Sequence, residues 1–232
     1  MDLVQIVAYI VGLPLEVLVV DAMRRGGAYR TFPFVFLYVI VDFITTVVEI
    51  EPSLAASEGT PAAVHRYSVI YWFDQWIIQA LVFLLVISLL YRASARMGPR
   101  RTILLGLIGA TVVFAAVSFG IHYSPDFKTG KWMTPWTRDL SFGAAILDLI
   151  LWAILIQSRE KDYRLLMVSG ALGVQFAGRA MGESLREMSR STVPGIMIML
   201  ANLACTYIWW QAFRSPKKPT NIYSKDRAVL TK

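Results

Sequence analysis

The chain has 232 residues, of which 56% are hydrophobic and 17% charged, with a formal net charge of +7 and a mean hydropathy of +0.53. That balance lies outside the soluble globular class and inside the polytopic membrane class. The bases stand in short clusters between apolar runs, the pattern of a cytoplasmic membrane rim rather than of a nucleic-acid groove.

Seven apolar windows near the ~20 residues that a helix needs to cross a bilayer predict spans over Leu3–Met23, Thr31–Ile50, Ser68–Tyr91, Ile103–Tyr123, Asp139–Gln157, Arg164–Leu185 and Val193–Phe213. The fold class expected is therefore all-α, a seven-helix membrane bundle over residues 1–213 followed by a basic cytoplasmic tail over 214–232. The first window is preceded by Asp2 and followed by Arg24 and Arg25, the charge order of a retained helix and not of a secretory signal. Bases concentrate in the first, third and fifth connections and in the tail: Arg24, Arg25, Arg30, then Arg92, Arg96, Arg100, Arg101, then Arg159, Lys161, Arg164. By the positive-inside rule the N-terminus is outside and the C-terminus cytoplasmic. The segments Glu51–His65 and Ser124–Thr137, rich in Pro, Gly, Ser and Thr, read as outer loops.

Polar residues within these spans carry the functional signal. A charge at the centre of a membrane helix costs about 2.5–3.5 kcal/mol on insertion scales, so such residues must face one another, water or a ligand. In the second span Tyr38, Asp42, Thr45 and Glu49 share one stripe at the 3.6-residue period. The third opens with Tyr71, Trp72, Asp74, Gln75, Trp76 and Gln79, an aromatic rim with polar tips that fits either a small-molecule pocket or an interfacial belt. The fourth has no ionisable residue from Ile103 to Ile121. The fifth carries Arg138, Ser141, Asp148 and Trp152 on one face, and the sixth Gln175, Arg179 and Glu183. The seventh contains the single cysteine, Cys205, read as a small packing residue.

Glu16, Asp42, Asp74, Asp148 and Glu183 outnumber Arg179 inside the spans. One reading is an ion pair of Asp148 or Asp42 with Arg179 that pins the helices. The other is a ligand, ion or proton site among the second, third, fifth and sixth spans, lined by Asp42, Asp74, Asp148 and Arg179, with Glu183, Glu16, Tyr38, Tyr71, Trp76 and Gln79 as further candidates. Gly106 with Ala110, and Gly178 with Gly182, have the spacing that lets helix backbones approach, within the chain first and in a dimer second. All seven lysines fall outside the spans, which excludes a retinal Schiff base. His65 and His122 are placed for at most a weak outer metal site, and no phosphate-binding loop or hydrolase string occurs. No catalytic set, metal or cofactor is expected.

A weak internal repeat relates the segment from Leu15 to that from Leu147: an acid in an apolar helix (Glu16, Asp148), a charged turn, then Tyr29-Arg30 or Tyr163-Arg164 opening the next helix. With the charge-free fourth span between the halves, this suggests a three-plus-one-plus-three arrangement of parallel halves.

The run Tyr29-Arg30-x-Phe32-Pro33-Phe34 through Tyr38, with Tyr71-Trp72 and Tyr91-Arg92, resembles a family of uncharacterised seven-helix bacterial integral membrane proteins. The likeness spans most of the chain and implies a bacterial inner (cytoplasmic) membrane, with no activity to carry over. The topology is similar to that of SWEET and PQ-loop transporters, but the chain has no Pro-Gln motif, and Pro14 and Pro33 have no counterparts in the fifth or sixth span. The expectation is a non-enzymatic membrane protein with an outward-facing polar pocket for a small ligand or partner, sensor-like or accessory. The rivals are a proton- or cation-coupled transporter and a scaffold subunit. Expected partners are the lipid bilayer, a small-molecule ligand, and membrane proteins or a second copy, with no nucleic acid.

Overall fold

Helix-start chemistry is explicit at several points in the computed structural model, which describes residues 3–57, 59–93, 100–123, 133–157, 162–188 and 193–214. Pro33 and Pro61 each occupy the first position of a helix, where the missing N–H costs nothing. The Asp162 carboxylate accepts from the backbone N–H of Arg164 (3.1 Å) and Leu165 (3.3 Å), capping the helix that follows. Gly27, at φ 63°, supplies the left-handed turn that separates the first long helix from a short one.

The described elements are all helical: α1 (Leu3–Arg25), α2 (Ala28–Thr31), α3 (Pro33–Ser57), α4 (Pro61–Ala93), α5 (Arg100–His122), α6 (Met133–Gln157), α7 (Tyr163–Met188) and α8 (Val193–Arg214). Each of the seven windows expected from sequence falls on a long helix, and α2 is a single turn inside the first connection. Two segments read as loops differ. Residues 51–57 continue α3 through Pro52, and 61–65 open α4, while 133–137 open α6. Proline near a helix start or end breaks few bonds, so the Pro- and Ser-rich composition of these stretches does not force a loop. The remainder of the second expected loop, and the tail after Arg214, lie outside the described residues.

Five helices are long and apolar enough to cross a membrane: α3, α4, residues 105–122 of α5, residues 135–157 of α6, and α8. Their outer faces expose large apolar side chains, among them Phe73, Val112, Val113, Ile121, Leu149 and Ile156, a surface that water would not tolerate and lipid would. These are the features of an integral membrane protein. Consecutive long helices pack side by side, and α1 closes against α8, so that α1, α3, α4, α6, α7 and α8 form a ring. Helix α5, with no ionisable residue from Ile103 to Ile121, stands outside it and among the described residues packs chiefly on α4 and α6.

The core sits where α4, α6, α7 and α8 face inward, with Leu85, Leu89, Leu151, Leu172, Phe176 and Trp209 essentially fully buried. The seam between α7 and α8 is the tightest. A Cβ placed on Gly178 would collide with the Ala201 methyl, and one on Gly182 would lie 2.5 Å from Ile198 Cγ1 and 3.0 Å from the Pro194 carbonyl. The small residues of α7 are thus spent on a contact within the chain, leaving the dimer and scaffold alternatives for this pair without a free face. Gly106, by contrast, has nothing within 4 Å of an added Cβ.

Candidate functional site

The polar stripes lie on the inner sides of their helices. In α3, Tyr38 is buried and Asp42, Thr45 and Glu49 are half-buried. In α6, Ser141 and Asp148 are buried, and in α7 Gln175 and Glu183 are buried with Arg179 half-buried between them. On α1, Glu16 is only 8% exposed. These positions fall into two groups.

The larger group gathers around Asp42. Its carboxyl is within electrostatic reach of Glu16 on α1, Asp74 on α4 and Arg179 on α7. Asp74 also senses Arg179 and approaches the Thr45 hydroxyl. The chain of acids continues outward, since Glu49 senses Asp74 and lies beside the Tyr67 hydroxyl. Asp42 and Asp74 therefore share one guanidinium while Glu16 meets Asp42, with no ion pair of Arg179 to any of the three within 4.0 Å among the described residues. Three buried atoms of this group have no hydrogen-bond partner among the described residues: Glu16 Oε2, Asp74 Oδ1 and Arg179 Nε. A buried, unmet polar atom costs about 1–3 kcal/mol, so the arrangement is poor as a clamp. A structural ion pair would have closed these distances.

Asp148 stands apart. It is 2% exposed and accepts from Ser169 Oγ at 2.8 Å, while its other oxygen lies 3.0 Å from where a Cβ on Gly173 would be. Gly173 and Arg179 are six positions apart on α7, about 9 Å along the axis, and Ser169 lies farther still. The expected pairing of Asp148 with Arg179 is therefore not made. Asp148 joins α6 to α7 through Ser169 instead.

A cavity of about 260 Å³ opens between α1, α3, α7 and α8. Glu16 and Asp42 form its acidic wall, with Tyr9 and Thr46 nearby, and Leu13, Ile198, Met199 and Leu203 make its apolar wall. At its floor Tyr38 meets Trp209 edge to face, ring centroids 5.6 Å apart. There Gln175 Nε2 donates to Tyr38 Oη (2.9 Å) and Asn202 Oδ1 (3.1 Å), and Gln175 Oε1 accepts from Cys205 Sγ (3.5 Å). Trp209 Nε1 donates to the Val168 carbonyl at 3.2 Å. The floor is thus a rigid, fully bonded platform, whereas Glu16 Oε2 in the acidic wall has no partner among the described residues.

Comparison brings no further guide. No protein-family model, curated protein or solved structure matches this chain.

Several expected site residues do not line this space. Asp74 and Arg179 act on Asp42 without lining the cavity, and Glu183 lies one turn beyond Arg179 on α7. Gln79 is buried in α4. Tyr71 packs against Tyr67 and Trp72, and Trp76 is 46% exposed against Trp136, 5.3 Å away. The Trp76–Trp136 pair lies between α4 and α6, whereas Tyr67 lies beside Glu49 of α3. Conversely, sequence reasoning passed over α8, whose Asn202, Cys205 and Thr206 all line the cavity. Their signal was a period-of-3.6 polar file, Asn202 and Thr206 four apart, inside a run read only as apolar. A further polar join was also missed: Asp139 Oδ2 accepts from Ser118 Oγ (3.0 Å) and contacts His122 Nε2 (2.9 Å), tying the peripheral α5 to α6.

Proposed function

We propose that this chain is a non-enzymatic membrane protein that holds a small ligand in the polar cavity between α1, α3, α7 and α8, acting as a sensor-like or accessory membrane component. The observation that carries this reading is a cavity lined by Glu16 and Asp42, with Glu16 Oε2 unpartnered among the described residues, above the Tyr38–Trp209 ring pair. Its volume is just below the ~300–1,000 Å³ of drug-sized sites, which suits a smaller molecule. All seven long helices cross the bilayer in this reading, α1 and α7 included. The greater polarity of α7 is tolerated because α6 and α8 flank it. With bases gathered at the C-terminal side, the N-terminus is outside, and Tyr9 and Gly195 mark the outer end of the cavity.

The test is a thermal-stability screen of the purified protein in detergent against small molecules of every charge class, repeated on Gly12→Leu. Gly12 lines the cavity, and its added Cβ would meet only Leu203 Cδ2 at 3.8 Å, so a leucine there fills the space without a clash at its base. Stabilisation by some compound that Gly12→Leu abolishes supports the reading. Failure of every compound to stabilise the parent protein ends it.

A transporter is the second reading, favoured by one observation: α5 stands outside a ring in which α1, α3 and α4 are followed by α6, α7 and α8. In a three-plus-one-plus-three transporter the two halves would rock about the Asp42 group. Superposing the first three long helices on the last three, without approximate two-fold symmetry about the membrane normal, would remove this alternative.

A further inference from the structure

Glu16 sets the ligand's chemistry. Its side chain is more than nine-tenths buried, lines the cavity, and has Oε2 without a partner among the described residues. The charged group nearest to it in effect is not a base but a second acid, Asp42. Arg179 acts on Asp42 and Tyr38 but does not itself line the cavity. Two carboxyls on one wall of a low-dielectric space stay ionised only beside a countercharge, and no base lines that wall.

The rest of the lining selects among countercharges. Leu13, Ile198, Met199 and Leu203 offer nothing to a metal ion, and among the described residues no group of three or more His, Cys, Asp or Glu side chains could hold one. A dehydrated ion would leave most of about 260 Å³ empty. A positively charged nitrogen carrying a compact apolar body fits both walls at once, with the rings of Tyr38 and Trp209 below it. We infer that the cavity takes a small organic ammonium ion, its charge against Glu16 and Asp42 and its apolar part against α8.

The inference rests on the reading of the cavity as a ligand site, and a matched set of probes separates the two. Benzylamine, benzyl alcohol and benzoate have nearly the same size and differ in charge. Binding of each to the purified, detergent-solubilised protein is measured by calorimetry, together with thermal stability, for the parent and for Glu16→Gln and Asp42→Asn. The expected result is binding of benzylamine alone, weakened about tenfold or more by Glu16→Gln and abolished by Gly12→Leu. Because the parent protein alone must discriminate among the three probes, a variant that fails to fold does not remove the test. Binding of benzyl alcohol or benzoate as tightly as benzylamine, abolished by Gly12→Leu, overturns the ammonium assignment and leaves the cavity as a ligand site. Binding of none of the three overturns the assignment as well, and if the wider screen is also silent the site itself falls. Benzylamine binding that Glu16→Gln does not change places the charge elsewhere and equally refutes the inference.

Discussion

Gly178→Ala tests the packing on which the whole bundle depends. The added methyl would collide with the Ala201 methyl and lie 3.6 Å from the Ala201 Cα and 3.7 Å from the Met197 carbonyl. Separation of α7 from α8 is therefore the only relief. Overpacking of this kind costs about 1–3 kcal/mol, against a gain of up to about 1 kcal/mol from replacing glycine in a helix. The net expectation is a loss of about 0–2 kcal/mol. Gly106→Ala is the control, since an added Cβ there meets nothing within 4 Å and only the helix-propensity gain applies. The two variants should thus differ by about 1–3 kcal/mol, roughly 5- to 150-fold in the unfolding equilibrium. Reversible unfolding by SDS in mixed micelles, followed by tryptophan fluorescence, reads this directly. Adding Ala201→Gly to Gly178→Ala should restore much of the loss, as expected of residues in contact. Gly178→Ala as stable as Gly106→Ala, or no rescue by Ala201→Gly, would refute the close α7–α8 seam.

Gln175→Leu strands the Tyr38 hydroxyl, Asn202 and the Cys205 thiol and should lower stability by about 1–3 kcal/mol; Gln175→Glu, keeping an acceptor and adding charge to an already acidic region, should be no better. Asp148→Asn keeps an acceptor for Ser169, so ligand binding at the cavity should be unchanged, and a loss of binding would join Asp148 to the site after all. Arg179→Gln removes the one cation near Asp42 and should tighten benzylamine binding in the calorimeter, whereas weaker binding would show that Arg179 holds the site's geometry. Cys205 is 1% exposed beneath the cavity, so a thiol reagent should modify it slowly in the native protein and more slowly still with benzylamine bound. In a Cys205→Ser background, Ser57→Cys should react with a membrane-impermeant maleimide from outside the cell, and reaction only after lysis would reverse the orientation.

The apolar windows fell on every long helix among the described residues, and for five of them the reason is that a helix able to cross a membrane satisfies its backbone groups within itself and shows as one apolar run. The same reasoning put Asp42, Asp148, Gln175 and Glu183 on inner faces, since a 3.6-residue stripe of polar side chains in lipid has nowhere else to turn. What one stripe meets on its neighbour is a different matter. It depends on the relative rotation and depth of two helices that are far apart in sequence. Asp148 found Ser169 and not Arg179 because the point of α7 that faces it lies nearly three turns from Arg179. The cavity appeared against α8, not among α3, α4, α6 and α7, because Gly178 and Gly182 draw α8 onto α7, and the volume remains on the α1 side of that seam.

The sequence by itself determined the all-α membrane character, the helix positions and the excess of buried acids over one buried arginine, all local or compositional properties. Only the tertiary structure decided that Glu16, Asp42, Asp74 and Arg179 form one group and that Asp148 joins Ser169, that α5 lies outside the ring, and that Glu16 lines a cavity. Those outcomes follow from packing, where a single methyl at a helix seam decides how close two helices approach and therefore where room is left for anything else.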